Sequence, residues 1–199
     1  MFKIFTKSMP VHFTDKSLWH FLKTITGQIN PKELFVLYNY AAALHNGSTI
    51  VEIGSYKGKS TVALGLAAKQ NGSRVYCIDP HENFKGIAGG VFGPADLKDK
   101  LAAINKFDLG DIIFPVCLSS VEVAKIWQKP IDLLWIDGDH SYETVSSDFL
   151  YFSRFVNQDG IIIFHDSQMD GVAKVIAQID MNHYMEKAII DSITIIKKR

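Results

Sequence analysis

Five short runs, TIVEIG (49–54), RVYCID (74–79), IIFPVC (112–117), IDLLWID (131–137) and IIIF (161–164), are apolar at nearly every position. A strand with no polar alternation has no face for water and must be covered on both sides. Helical patterns fill the gaps, near residues 59–69, 95–106, 119–127 and 141–156. The last carries Tyr142, Val145, Phe149, Phe152 and Val156 along one face, an amphipathic stripe. Strands alternating with helices specify an α/β fold, a doubly wound and mostly parallel sheet with helices on both faces. Pro115 adds a detail, because proline cannot donate to a ladder and the third strand therefore belongs at a sheet edge. A sheet of order 3-2-1-4-5 places it there. After a helical segment at 171–180, EKAIIDSITIIKK folds back around Asp191-Ser192 as a terminal antiparallel hairpin.

Ahead of this unit, Asp15 caps a short helix with Leu18, Phe21, Leu22 and Ile25 on one side, ended by Gly27. Asn30-Pro31 opens a second helix with Leu34, Leu37, Ala41 and Leu44 on one face. Residues 1–47 therefore read as N-terminal helices covering the site, and 48–199 as the nucleotide-binding unit of one structural domain. At 47% hydrophobic and 21% charged, the composition is globular. Lys+Arg and Asp+Glu balance at 21 each, so no net field attracts nucleic acid or an anionic membrane. No apolar run is long enough for a signal peptide or a bilayer span, and the expected location is the cytoplasm. Cys77 and Cys117 lie in strand-like runs and read as two buried thiols.

The segment VEIGSYKGKS (51–60) decides the ligand. A phosphate-binding P-loop requires G-x-x-x-x-G-K-[ST], but five residues before Gly58 stands Ile53, and Gly54 leaves the loop one residue short. The dinucleotide fingerprint fails as well, because Tyr56 occupies the position of its second glycine. Asp79, about 25 residues beyond Gly54, is near the ~20 of an acid that grips ribose hydroxyls. Glu52, one residue before the turn, disfavours phosphate and favours a cation. A ligand with adenine, ribose and a cationic amino-acid end fits, and S-adenosylmethionine is such a ligand.

VEIGSYKGKS, WIDGDHSYE and IIIFHDS resemble, in order, the motifs of class I S-adenosylmethionine-dependent methyltransferases. The resemblance is closest to the catechol-type and macrocin-type small-molecule O-methyltransferases. It implies seven strands in the order 3-2-1-4-5-7-6. It also implies a cofactor seat of Glu52, Gly54, Ser55, Tyr56, Gly58 and Ser60 around the methionine part. Asp79 would lie on ribose, Ser119 beside adenine, and Asp137 where cofactor and acceptor meet. Ser60 and Ser119 could equally cap helices.

Methyl transfer needs a nucleophilic oxygen, obtained with a base or with a metal that lowers the hydroxyl pKa. Asp137 and Asp166 end neighbouring strands and should converge. With His165 they form a candidate set for Mg²⁺ or Mn²⁺. His140 stands where macrocin-type relatives carry a histidine and is the candidate base, with Asp137 as its catalytic partner. The expected acceptor is a hydroxyl on a small molecule such as a sugar or secondary metabolite. Two alternatives remain: a non-catalytic adenosine-binding module, and an ATP-dependent phosphotransferase with a variant P-loop. FKGIAGGVFGP (84–94) reads as a lid or a long loop, Lys59 as a solvated first-turn residue, and Trp135 as core. The apolar start MFKIF could be covered by a partner chain in a homodimer.

Overall fold

The computed structural model describes residues 15–86 and 89–199. Its central sheet contains β1 (Thr49–Ile53), β2 (Arg74–Ile78), β5 (Ile113–Val116), β6 (Ile131–Ile136), β7 (Val156–Phe164), β8 (Tyr184–Ile190) and β9 (Ile193–Lys198). β3 (Phe84–Lys85) and β4 (Val91–Phe92) form a separate small hairpin. The sheet order is β5-β2-β1-β6-β7-β9-β8. Counting only the strands of this sheet, that is the expected 3-2-1-4-5-7-6, with the last two strands antiparallel. Pro115 pairs with Cys77 on the edge strand β5, where its missing N–H faces no further neighbour.

Two apolar layers cover the sheet. On one side α1 (Asp15–Leu22), α2 (Pro31–Ala42), α3 (Lys59–Asn71) and α4 (Pro94–Lys106) bury Leu22, Leu34, Leu37, Val62, Leu64 and Ile104 against Ile50, Val75 and Trp135. On the other, α5 (Ser120–Ile126), α6 (Tyr142–Phe152) and α7 (Asp170–Gln178) bury Val123, Val145, Phe152, Val172 and Val175 against Val51, Leu134 and Ile162. Neighbouring strand residues such as Ile50 and Val51 enter opposite layers, as the two-residue period of a strand requires. The capping box of α2, in which Asn30 Oδ1 accepts from Glu33 N at 3.0 Å and Glu33 Oε2 accepts from Asn30 N at 3.2 Å, supports the predicted helix start.

Several expectations are corrected. The stripe from Tyr142 does not run as helix to Val156: α6 ends at Phe152, one 3-10 turn spans Ser153–Phe155, and Val156 opens β7 opposite Ile131. Val156 is buried in either geometry, so burial alone does not distinguish them. Phe21 is 46% exposed and meets Phe107 edge-on, so it is not part of the buried face of α1. Cys77 is buried but Cys117, just past the edge strand, is exposed. Lys59 is buried, its Nζ 4.3 Å from the centre of the Trp19 ring, because α1 packs over the start of α3. Of residues 84–94, Phe84–Lys85 and Val91–Phe92 pair as the β3–β4 hairpin and Pro94 opens α4, while residues 87 and 88 lie outside the described residues. MFKIF lies outside them too. Among the described residues no helix is long and apolar enough to cross a membrane.

Candidate active site

Parallel pairing in register brings the carboxyl ends of β1, β2, β6 and β7 to one edge of the sheet. The residues that follow them are Gly54, Asp79, Asp137 and His165. Gly54 sits at φ +82°, and a Cβ there would lie 2.2 Å from the carbonyl oxygen of Asp137. Asp137 N donates to Ile53 O at 2.8 Å and Gly54 N to Ile78 O at 2.9 Å, so the turn is stitched to strands on both sides. Tyr56 takes φ +43°, an uncommon conformation for a bulky residue. Its ring meets Phe92 of the small hairpin edge-on at 5.2 Å.

The acids around this turn divide its work. Asp79 Oδ2 accepts from the backbone N–H groups of Ser55 and Tyr56 at 2.9 and 3.0 Å. Asp79 Oδ1 accepts from His81 N at 3.0 Å. Glu52 departs from the role expected of it. It is fully buried, does not line the cavity, and accepts from Ser60 Oγ and Thr61 Oγ1 at 2.6 Å each. Burial outweighs these hydroxyls and pushes its carboxyl up to about 7. Glu52 thus fixes the first turn of α3 from below. Buried Lys100 donates from Nζ to Ser55 Oγ at 2.8 Å, bringing a cation beneath the loop. Ser60 is therefore a strut that also lines a recess beside the glycine turn, while Ser119 caps α5, accepting from Glu122 N at 3.3 Å, and lines the cavity.

That cavity, about 360 Å³, runs between the glycine turn, Asp79, the β3–β4 hairpin and the starts of α5 and α6. Its volume suits a nucleoside. A smaller recess of about 70 Å³ adjoins it through Gly54, Tyr56, Phe92 and Asp137. Gly27, Gln28 and Ile29, from the turn before α2, form one wall of the recess, and His140, His165 and Asp166 another.

Asp137, His140, His165 and Asp166 each place a ligand-capable atom within 4.8 Å of the others. His165 Nδ1 lies 2.8 Å from Asp137 Oδ1, and His165 Nε2 lies 3.4 Å from Glu33 Oε2. Burial opposes its charge, but Asp137, Glu33 and Asp166 prevail and push the imidazole up to about 11. Burial likewise opposes ionisation of Glu33, and hydrogen bonds from His165, Ser192 and Asn30 bring its carboxyl down to about 2. Asp137 is held below the usual carboxylate range by His165 and His140, again against burial. His140 Nε2 lies 3.4 Å from Asp166 Oδ2 and 3.7 Å from Asp137 Oδ1, within ion-pair reach of both carboxylates. Burial lowers its basicity, and the two carboxylates outweigh that, leaving it raised above its ordinary value. His165 meets carboxylates through both nitrogens, Asp137 at Nδ1 and Glu33 at Nε2. The donors that could hold a divalent ion are Asp137, His140, His165 and Asp166.

Residues 51–167, more than half of the chain, match the family described as the methyltransferase domain. An uncharacterized protein of Acanthamoeba polyphaga mimivirus is 30% identical over 152 residues, covering 68% of this chain and 62% of the relative. The match thus spans less than two thirds of that relative's length. Among solved structures, a Podospora anserina methyltransferase with bound S-adenosylhomocysteine aligns with a TM-score of 0.70 at 13% identity, covering 93% of this chain and 87% of that one. The Bacillus cereus O-methyltransferase in complex with S-adenosylhomocysteine gives 0.63 at 15%, covering 96% and 93%. An rRNA methylase from Streptococcus thermophilus gives 0.61 at 14%, covering 87% and 99%. These structural likenesses show a shared fold. The chain belongs to the methyltransferase domain family.

Sequence reading missed Glu33, Lys100 and Gly171 as site residues. Glu33 had a signal, the Asn30-x-x-Glu33 capping box, but that box already gave it a local role. Gly171 opens α7 against the loop bearing His140; a Cβ there would meet His140 O at 2.3 Å.

Proposed function

We propose that this protein transfers a methyl group from S-adenosylmethionine to a hydroxyl of a small molecule, with His140 as the base. The observation that carries this reading is His140, its Nε2 held between Asp137 and Asp166, lining the recess that adjoins the nucleoside-sized cavity. Adenosine occupies the larger cavity, and the sulfonium lies near Gly54 and Asp137, where carboxylate charge favours a cation. The acceptor enters the recess past Gln28. The acceptor oxygen attacks the methyl carbon as the carbon–sulfur bond breaks. Its proton passes to His140 Nε2, and the bond pair stays on sulfur as neutral S-adenosylhomocysteine. The small recess and the equal counts of acidic and basic residues favour a small acceptor over RNA, which is bound largely through net positive charge.

His140 must be neutral to accept that proton, so turnover rises with pH through a midpoint above the ordinary 6.5 of histidine. Replacing His140 with Ala is expected to lower kcat by about 10²–10⁴ and flatten this rise, with S-adenosylhomocysteine affinity by calorimetry little changed. Unaltered turnover across pH 6–9 would remove His140 from the mechanism.

A second reading uses a divalent ion, favoured by the four clustered donor atoms. Asp137, His140, His165 and Asp166 would hold it, and it would supply a lowered hydroxyl pKa. The two readings compete for His140 Nε2. Chelator-treated protein that regains activity only with Mg²⁺ or Mn²⁺ selects the second; activity indifferent to chelation and to added ion selects the first.

A further inference from the structure

The imidazole of His165 is held at both nitrogens, and the group at the far one comes from a distant part of the chain. His165 is 3% exposed, its backbone N–H donates to Ile136 O at 3.0 Å, and its ring tilts against Trp135. Nδ1 faces the recess cluster, 2.8 Å from Asp137 Oδ1 and 3.4 Å from Asp166 Oδ2. The opposite nitrogen, Nε2, lies 3.4 Å from Glu33 Oε2. Glu33 is itself clamped: Oε1 accepts from the N–H and the hydroxyl of Ser192, and Oε2 from Asn30 N. Glu33 and Ser192 both lie outside residues 51–167, which match the methyltransferase domain. This support is therefore added to that domain by α2 and by the turn between β8 and β9.

An ionised carboxylate accepts hydrogen bonds and cannot donate. Glu33 thus keeps a proton on Nε2 and turns Nδ1 toward Asp137, His140 and Asp166. A histidine that ligates a metal through one nitrogen is normally oriented by such a partner on the other. The donor set then contains two imidazoles and two carboxylates. That set favours an ion that accepts nitrogen over Mg²⁺, which prefers oxygen and keeps several of its waters.

We propose that Glu33 is the positioning residue of this cluster: by accepting from His165 Nε2 it presents Nδ1 as a nitrogen ligand to a divalent ion. This role rests on the divalent-ion reading above. In Glu33→Gln the two Ser192 donors retain the amide oxygen, which turns the amide N–H groups toward His165 Nε2. Nε2 must then accept, the ring proton moves to Nδ1, and Nδ1 has no lone pair left for the ion.

The test is calorimetric titration of the full chain with Co²⁺, which takes imidazole, and separately with Mg²⁺. Wild type is expected to bind Co²⁺ at least about tenfold more tightly than Mg²⁺. Glu33→Gln should lower Co²⁺ affinity about 10–100-fold, but Mg²⁺ affinity by no more than about threefold. General disruption of the cluster would weaken both ions alike, so equal losses overturn the role of Glu33, as does unchanged Co²⁺ affinity. Glu33→Asp keeps the charge but is too short to reach His165, and the same selective loss is expected of it. It decides alone if Glu33→Gln does not melt cooperatively. A wild type that binds neither ion overturns the divalent-ion reading, and the role of Glu33 with it. Wild-type binding of Co²⁺ that neither variant weakens removes only Glu33.

Discussion

Gly54→Ala is expected to melt roughly 6–12 °C below wild type and to lose S-adenosylhomocysteine binding by at least about 100-fold. Two costs act together. The residue sits at φ +82°, which costs an L side chain about 1–2 kcal/mol. The new methyl would also lie 2.2 Å from the Asp137 carbonyl and 2.6 Å from Gly138 Cα. Both are backbone atoms, so no side chain can swing aside, and the β1 and β6 ends must separate. A total of about 3 kcal/mol or more follows. The displaced stretch carries Asp137, so the nucleoside cavity and the charged cluster are damaged at once. A variant with wild-type melting and wild-type affinity would contradict the close packing of these two strand ends.

Glu33→Gln should give the second large effect, seen in the pH dependence of stability. Glu33 is 2% exposed and accepts from His165, from Asn30 N and from both the N–H and the hydroxyl of Ser192. Removing its charge leaves His165 with fewer counter-charges in a buried setting, a loss of about 2–4 kcal/mol. Glu33 is depressed from 4.5 to about 2, so its contribution is complete above pH 4.5 and disappears as pH falls through about 2. His165 is raised from 6.5 to about 11, so its contribution is complete below pH 6.5 and disappears as pH rises through about 11. Wild type and variant should therefore differ most between about pH 4.5 and 6.5 and converge on either side. Glu52, also titratable, is common to both proteins and cancels in the difference. A gap independent of pH would show that Glu33 acts by packing alone.

Much of the architecture was legible because apolar runs on both strand faces admit few folds. Pro115 marked one sheet edge, and the Gly54 and Gly58 turn marked the end of the sheet where the cavities lie. What escaped was what packing decides. Lys59 reads locally as a solvated first-turn lysine, and only the placement of α1 buries it under Trp19. Glu52 has the position of a ligand-facing acid, but the hydroxyls of Ser60 and Thr61 draw it into the interior. Val156 continues a helical stripe and also begins a strand, and periodicity cannot choose between them. Glu33 and His165 are 132 residues apart, and their meeting depends on how α2 docks beside the β7 terminus.

Asp79 carries a consequence for how tightly a nucleoside can be held. Its Oδ2 fastens the Ser55 and Tyr56 amides through contacts made within the chain itself. The turn is thus ordered during folding, and the entropic cost of fixing its backbone, about 1–2 kcal/mol per residue, is not charged to association. Such preorganisation lets a ligand convert more of its contact energy into affinity. By the same logic, loosening Asp79 would weaken capture even of compounds that never touch its carboxylate.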